Sequence, residues 1–260
     1  MSARPPARER GADDVSPYDP LLYELVHRGT PGDVDMYVRR LAGARRVLEL
    51  GCGWGRVLEA LHRAEPEREL LGLDLDPGLL ERARARVPSA KLWVADMRSF
   101  RVDAPVDAVI LPYSALWCLD ENEDVIACFE AARAALAPGG RLICDAYAAD
   151  AFHDVVSPEP DDDAPSFVAE IHDGARGFRV FESARWEPER QGFWVSYLHE
   201  PLEGGEPIRS GIRHTYRLEP ELRGLLEAAG FSRIRTYGGF DLRPFDAEAD
   251  HLVVEAWQVG

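Results

Sequence analysis

Lysine is almost missing from this chain of 260 residues: Lys91 is the only one, and arginine supplies the other cations. Acids outnumber bases 46 to 30, which leaves a formal charge of −16. A chain so acidic repels phosphate backbones and anionic lipid, which argues against nucleic acid or a membrane as partner. Cysteine is scarce too. Cys52, Cys118, Cys128 and Cys144 contain no C-x-x-C pair. Cys52, Cys118 and Cys144 lie in or beside apolar runs, so reduced, packed thiols are expected rather than disulfides or zinc ligands, and no metal site is expected. No apolar run approaches the length of a membrane span. Met1 to Val15 is polar and proline-bearing and lacks the apolar centre of a signal peptide, so a cytoplasmic protein is expected. Residues 1–15 have the composition of a disordered segment. The length and the 46% hydrophobic share suffice for one large domain, or a domain with an insertion, around a substantial core.

What the chain does have is Arg46-Val47-Leu48-Glu49-Leu50-Gly51-Cys52-Gly53-Trp54-Gly55-Arg56. This reads as a short apolar strand, a glycine-rich turn and the start of a helix. Such a turn lets a ligand lie against bare backbone at a helix N-terminus. A dinucleotide fingerprint requires G-x-G-x-x-G, but the third glycine arrives one residue early, at Gly55, and Arg56 holds its place. That spacing disfavours a nicotinamide oxidoreductase. The pattern is E-x-G-x-G-x-G, with an acid on the strand itself, and the acid suits a ligand carrying an ammonium group. The stretch reads as an S-adenosylmethionine site.

The rest of the chain alternates. Helical spacing covers Tyr18–Leu25 and about 33–42, with Asp33 a candidate N-cap. Strands are expected at Arg46–Leu50, Glu69–Asp74, Lys91–Ala95, Asp107–Leu111 and Arg141–Asp145. Helices are expected from Val57, Leu79 and Glu123, the last stopping at Ala137-Pro138-Gly139-Gly140. This order predicts an α/β, Rossmann-like fold with a mostly parallel sheet. After residue 148 the pattern changes. Pro158 to Asp163 is a charge run, and short alternating segments recur from Phe167 to Tyr216, which predicts an inserted antiparallel sheet. The expected division is residues 16–148 and 217–260 for the α/β domain and 149–216 for the insertion. A helix at Glu219–Ala229 and strands at about 232–237 and 251–257 close the chain, the last strand antiparallel.

Polar residues gather at the carboxyl ends of the predicted strands, where open α/β sheets bind ligands: Glu49, Asp74 and Asp96. Together with Gly72-Leu73-Asp74-Leu75-Asp76-Pro77, Ala95-Asp96-Met97-Arg98 and Leu136-Ala137-Pro138-Gly139-Gly140, the glycine turn resembles the class I S-adenosylmethionine-dependent methyltransferases over about residues 18–257. Gly32 to Tyr37 and Leu225 to Phe231 resemble small-molecule members, including bacterial sugar N-methyltransferases. The resemblance implies that Glu49 binds the methionine ammonium and that Gly51, Gly53 and Gly55 pass beneath the methionine. It implies that Asp74 takes the ribose diol, Leu75 packs on adenine, Asp96 accepts from the adenine amino group and Met97 adds packing. Leu111 joins this cofactor-binding set, and Tyr18, Tyr23 and Tyr37 are candidates to close over it. Trp54 departs from the family, which carries a small residue such as Thr there.

The implied activity is methyl transfer by in-line displacement to nitrogen or oxygen of a small molecule. The competing reading is a catalytically silent cofactor-binding protein of the same fold that acts through association. Base or orienting candidates follow strands four and five or lie in the insertion: Tyr113, Trp117, Tyr147, His153, His172 and His199. His153, eight residues past strand five, ranks first, with Tyr113 and Tyr147 beside it. The inserted sheet would cap the substrate cavity or mediate a homodimer.

Overall fold

The computed structural model describes residues 18–153, 165–246 and 248–258. The expected disordered N-terminus and the charge run at Pro158–Asp163 lie outside them. Helices α1 (Pro20–Val26) and α2 (Asp33–Arg40) precede strand β1 (Arg46–Leu50). Then follow α3 (Arg56–Ala64), β2 (Glu69–Asp74), α4 (Pro77–Arg86), β3 (Lys91–Val94), β4 (Val106–Leu111), α5 (Asn122–Ala135) and β5 (Leu136–Tyr147). Strands β6 (Ser166–His172), β7 (Gly177–Glu187), β8 (Gly192–Pro201) and β9 (Ile208–Thr215) come next, and α6 (Glu219–Ala228), β10 (Arg233–Tyr237) and β11 (His251–Trp257) end the chain.

Seven strands form one sheet in the order β10-β11-β5-β4-β1-β2-β3. All pairings are parallel except those of β11, which runs antiparallel to β5 and β10. The chain winds outward from β1 to β3 and then returns to lay β4 on the other side of β1. The order therefore reverses between β1 and β4, and such a switch point opens a crevice at the carboxyl ends. Both faces are covered. Leu48, Leu50, Val109 and Leu111 pack with Phe129 of α5 and Leu222 of α6. Val47, Ala108 and Ile110 pack on the opposite side with Met36, Leu58 and Leu80. The period of two in β1 and β4 serves two cores, which is why these strands read as unbroken apolar runs.

Two helix starts follow from side-chain caps. Asp19 accepts from the N–H of Leu21 and Leu22 at α1, and Asp76 from Gly78 and Leu79 at α4, each with proline in the first turn. Asp33 is not the N-cap of α2: Gly32 holds that place at φ 92°, and Asp33 is the first helical residue. Helix α5 stops one residue before Leu136, and β5 begins there rather than at Arg141. The cause is Leu136 itself, which is buried and pairs with Val106, so the chain passes straight into the ladder. Gly139, at φ 78°, makes its turn inside that strand and is held by its N–H to the Gln258 carbonyl, 3.1 Å away.

The second sheet, β6-β7-β8-β9, is an antiparallel meander between β5 and α6. Leu22 of α1 enters a cluster with Ile171, Phe178, Val180 and Tyr197 of this sheet. Helix α1 is thus held by the meander on one side and packs on α4 on the other. No helix among the described residues is long and apolar enough to cross a membrane.

Candidate active site

Where β1, β2, β4 and β5 end, a cavity of about 460 Å3 opens beneath the antiparallel sheet, whose Val195, Tyr197, Ile212 and His214 form its roof. Its size is that of a small-molecule site, about 300–1,000 Å3. The floor is the glycine turn. Gly51, Gly53 and Gly55 have φ of 67°, 50° and 82°, a region closed to most side chains. Gly55 has a second reason: a Cβ there would stand 3.0 Å from Cβ of Ala83, so the turn lies hard against α4. Gly53 has nothing within 4 Å of such a position, which leaves its backbone bare.

Three acids face this space, each near the end of a strand, with Glu49 and Asp145 buried and Asp74 half-buried. Glu49 of β1 is buried, and its Oε2 has no hydrogen-bond partner. Burial pushes its carboxyl up to about 8, against the pull of the Arg56 guanidinium. Asp74 of β2 accepts from the Gly53 N–H at 2.8 Å and the Asp76 N–H at 2.9 Å. Its pKa is raised by burial in spite of those bonds. Asp145 of β5 accepts from the Tyr37 hydroxyl at 2.7 Å and the Tyr113 N–H at 3.1 Å, and burial pushes it up to about 6. An unpartnered buried carboxylate oxygen costs free energy unless a donor meets it. An ammonium group against Glu49 would do so.

The loop after β4 carries strain. Tyr113 and Ser114 are consecutive non-glycine residues at φ 58° and 59°, a costly conformation concentrated at functional loops. It is held by the Ser114 N–H on the Asp145 carbonyl at 2.9 Å, and the Arg56 guanidinium lies 5.6 Å from the Tyr113 ring centre. On the other side Tyr23 and His27 of the α1 segment lie ring to ring, 4.2 Å between centres. Trp54 turns inward and walls the cavity. Its Nε1 donates to the His27 carbonyl at 3.3 Å, and Arg86 covers the ring at 4.5 Å. This large residue in the turn therefore ties the N-terminal segment to the floor.

Of the expected cofactor set, Tyr23, Glu49, Gly51, Gly53, Asp74, Leu75 and Met97 line the cavity, and Leu75 is 65% exposed there. Four others do not line it. Tyr37 is wholly buried behind Asp145, and Leu111 points with Val109 into the α5 core. Tyr18 lies between Tyr23 and Tyr197, its hydroxyl 3.3 Å from Nε2 of His199. The Asp96 carboxylate is held by Arg98, with Nη2 at 2.6 Å, and that pair keeps its pKa low.

Of the base candidates, Tyr113 and Tyr147 line the cavity, but His153 does not: its Nδ1 is 2.9 Å from the Tyr216 hydroxyl. Trp117 is core, and His172 pairs with Glu170 outside. His27, Asp145 and His214 are cavity residues that the sequence reading passed over. Asp145 carried the same signal as Glu49, an acid near a strand end. His27 and His214 carried none, because tertiary packing alone brings them here. Burial pushes them down to about 3 and about 4, so both are neutral near pH 7. Cys118, expected to be packed, is exposed at the cavity, while Cys52, Cys128 and Cys144 are buried free thiols.

A sheet in this order, reversed between β1 and β4 above an acid-and-glycine turn, is the class I S-adenosylmethionine-dependent methyltransferase fold. Residues 47–140 match the family model described as Methyltransferase domain. Over 102 residues the chain is 38% identical to a trans-aconitate 2-methyltransferase from Methylobacterium nodulans, covering 39% of this chain and 38% of that protein. It is 29% identical over 134 residues to a dTDP-3-amino-3,4,6-trideoxy-alpha-D-glucopyranose N,N-dimethyltransferase from Streptomyces venezuelae, covering 48% and 56%. The chain thus spans less than two thirds of either relative. In fold it is similar to SAM-bound CalS10, an amino pentose methyltransferase from Micromonospora echinaspora, with TM-score 0.67 and 22% identity over 92% of this chain and 97% of that one.

Proposed function

We propose that this chain is an S-adenosylmethionine-dependent methyltransferase acting on a nitrogen or oxygen atom of a small molecule. The observation that carries the reading is Glu49, a buried carboxylate with a free oxygen on the cavity, one strand from Asp74. Glu49 would hold the methionine ammonium, Asp74 the ribose diol, and the bare turn the chain between them. Leu75 and Met97 would pack on adenine. When bound, S-adenosylmethionine supplies an electrophilic methyl group and leaves as a neutral thioether. The protein's share is position: fixing the reactants in a dry space is worth up to about 7–11 kcal/mol. Val195, Tyr197 and Ile212 of the roof exclude water. Neutral His214 can accept a hydrogen bond from the acceptor's N–H or O–H and so aim its lone pair at the methyl group. An acceptor that reacts under such a roof is a small molecule. Calorimetry with S-adenosylmethionine, S-adenosylhomocysteine and NAD tests the reading. The two adenosyl compounds should bind and NAD should not; NAD binding alone would overturn it.

A further inference from the structure

A second cavity, of about 350 Å3, adjoins the first and shares Tyr147, Val195 and His214 with it. Its remaining walls include Phe152, Phe193, Ala151 and Ala249, with Asp250 the one charged residue among the described ones. Tyr147 stands at the junction, 5.8 Å between ring centres from His214 in a stacked pair and 6.1 Å edge-on from Phe193. The Tyr147 hydroxyl is buried without a partner. A polar pair inside an otherwise apolar passage is the arrangement that orients one polar group of a mostly apolar ligand.

The charges of the two cavities lean one way. Among the described residues Arg56 is the one arginine or lysine lining either of them. It is already committed, with Nη1 and Nη2 at 2.9 and 2.7 Å from the two oxygens of Asp33. Against it stand Glu49, Asp74 and Asp145 in the first cavity and Asp250 in the second. Three histidines line the first cavity, His27, His214 and His251, and burial lowers the pKa of each, so none offers a ready cation near pH 7. In the second cavity an acceptor's carboxylate or phosphate would lose its water and meet no arginine or lysine among the described residues, in a chain that already carries a charge of −16.

We propose that the acceptor carries no anionic group: it is an amine or hydroxyl compound with an apolar body, seated in the second cavity and reaching the first past Tyr147 and His214. This rests on the methyltransferase reading for the occupant of the first cavity. It separates this chain's acceptor from trans-aconitate and from a dTDP-linked sugar, both of which are anions.

The test uses two fluorescent probes that differ by one sulfonate, N-phenylnaphthylamine and anilinonaphthalenesulfonate, titrated with S-adenosylhomocysteine saturating the first cavity. The neutral probe should bind about tenfold tighter than the anion. Ala151→Arg adds a cation at an exposed wall position of the second cavity and should erase most of that preference. Phe193→Ala should weaken the neutral probe. Equal or tighter binding of the sulfonate overturns the proposal, and so does a preference that Ala151→Arg leaves unchanged. Calorimetry with S-adenosylhomocysteine alone reads the methyltransferase proposal separately: bound cofactor with a sulfonate preference sinks the acceptor class only. Absent cofactor binding with the neutral preference intact sinks the cofactor reading only.

Discussion

Arg56 and Asp33 face each other as a planar two-point pair, guanidinium to carboxylate, with side chains 15% and 3% exposed. The pair joins the first residue of α3 to the first residue of α2 and so fixes the glycine turn against the N-terminal segment. Gly29 makes room for it: a Cβ at that position would lie 2.2 Å from the guanidinium carbon. The residue that breaks the dinucleotide spacing thus has a structural use of its own. Removing one partner leaves the other buried and unpaired. Arg56→Ala should destabilise the fold by about 3–5 kcal/mol, and Arg56→Lys by less, since it keeps charge but loses the fork. Urea denaturation of the two variants measures both; equal stability of Arg56→Ala and the parent would refute the pair's role.

Asp74 is placed to act on both the turn and the ligand. Its Oδ2 already accepts the Gly53 N–H and its Oδ1 the Asp76 N–H, which aims the carboxylate along the cavity floor. Asp74→Asn keeps the shape and loses the charge. It should weaken S-adenosylhomocysteine binding about tenfold to a hundredfold, the worth of a charge-assisted bond. Asp74→Ala should lose more, because an amide oxygen still accepts one of the Gly53 and Asp76 N–H groups and a methyl accepts neither. Calorimetric affinities unchanged in both variants would remove Asp74 from the site.

Glu49 gives a pH signature. Its folded pKa of about 8 lies above the usual carboxylate value of about 4.3, so the folded chain keeps a proton that the unfolded chain gives up. Stability should therefore be greatest below the unfolded value and fall as pH rises towards 8. Asp145, at about 6, adds to the lower part of that window. Glu49→Gln should flatten the fall between about pH 6 and pH 8 and reduce it by about half below pH 6, where Asp145 still contributes. Binding of a cofactor ammonium needs Glu49 ionised, so at pH 7 the complex should release a proton. Calorimetry in buffers of different ionisation heat detects it; no release, or the same release from Glu49→Gln, would count against the assignment.

These residues differ in how openly the sequence shows them. The bounds of β1 and β2 and the placement of Glu49 and Asp74 follow from local pattern, since a strand, its last acid and the next turn are contiguous. Leu111 and Tyr37 lie off the cavity for one reason: each stands near a strand end or helix face that serves two layers, and a single sequence does not say which layer a residue joins. The insertion is legible as antiparallel, but β7 and β8 are longer than their apolar cores suggest, because residues 183–187 of β7 and 198–201 of β8 carry the ladder on without the apolar alternation. His214 lies 67 residues from Tyr147 in sequence and beside it in space, and no spacing rule joins them.

That last pair decides which histidine matters. His153 was the favoured base, yet its Nδ1 faces the Tyr216 hydroxyl and it lines neither cavity. His214 lines both and stacks on Tyr147. At about 4 its pKa leaves it unprotonated across the neutral range, so it can accept a hydrogen bond and orient the acceptor. With any acceptor that yields S-adenosylhomocysteine, His214→Ala should lower kcat about tenfold, the order expected when an orienting hydrogen bond is lost. Its affinity for S-adenosylhomocysteine should stay within about twofold of the parent, because the group sits away from Glu49 and Asp74. Tyr147→Phe should act on KM more than on kcat if its hydroxyl orients the acceptor. His153→Ala should turn over normally. A His153 variant that is inactive with its fold and cofactor affinity intact, beside a fully active His214 variant, would reverse the assignment and return the role to the residue that the sequence first suggested.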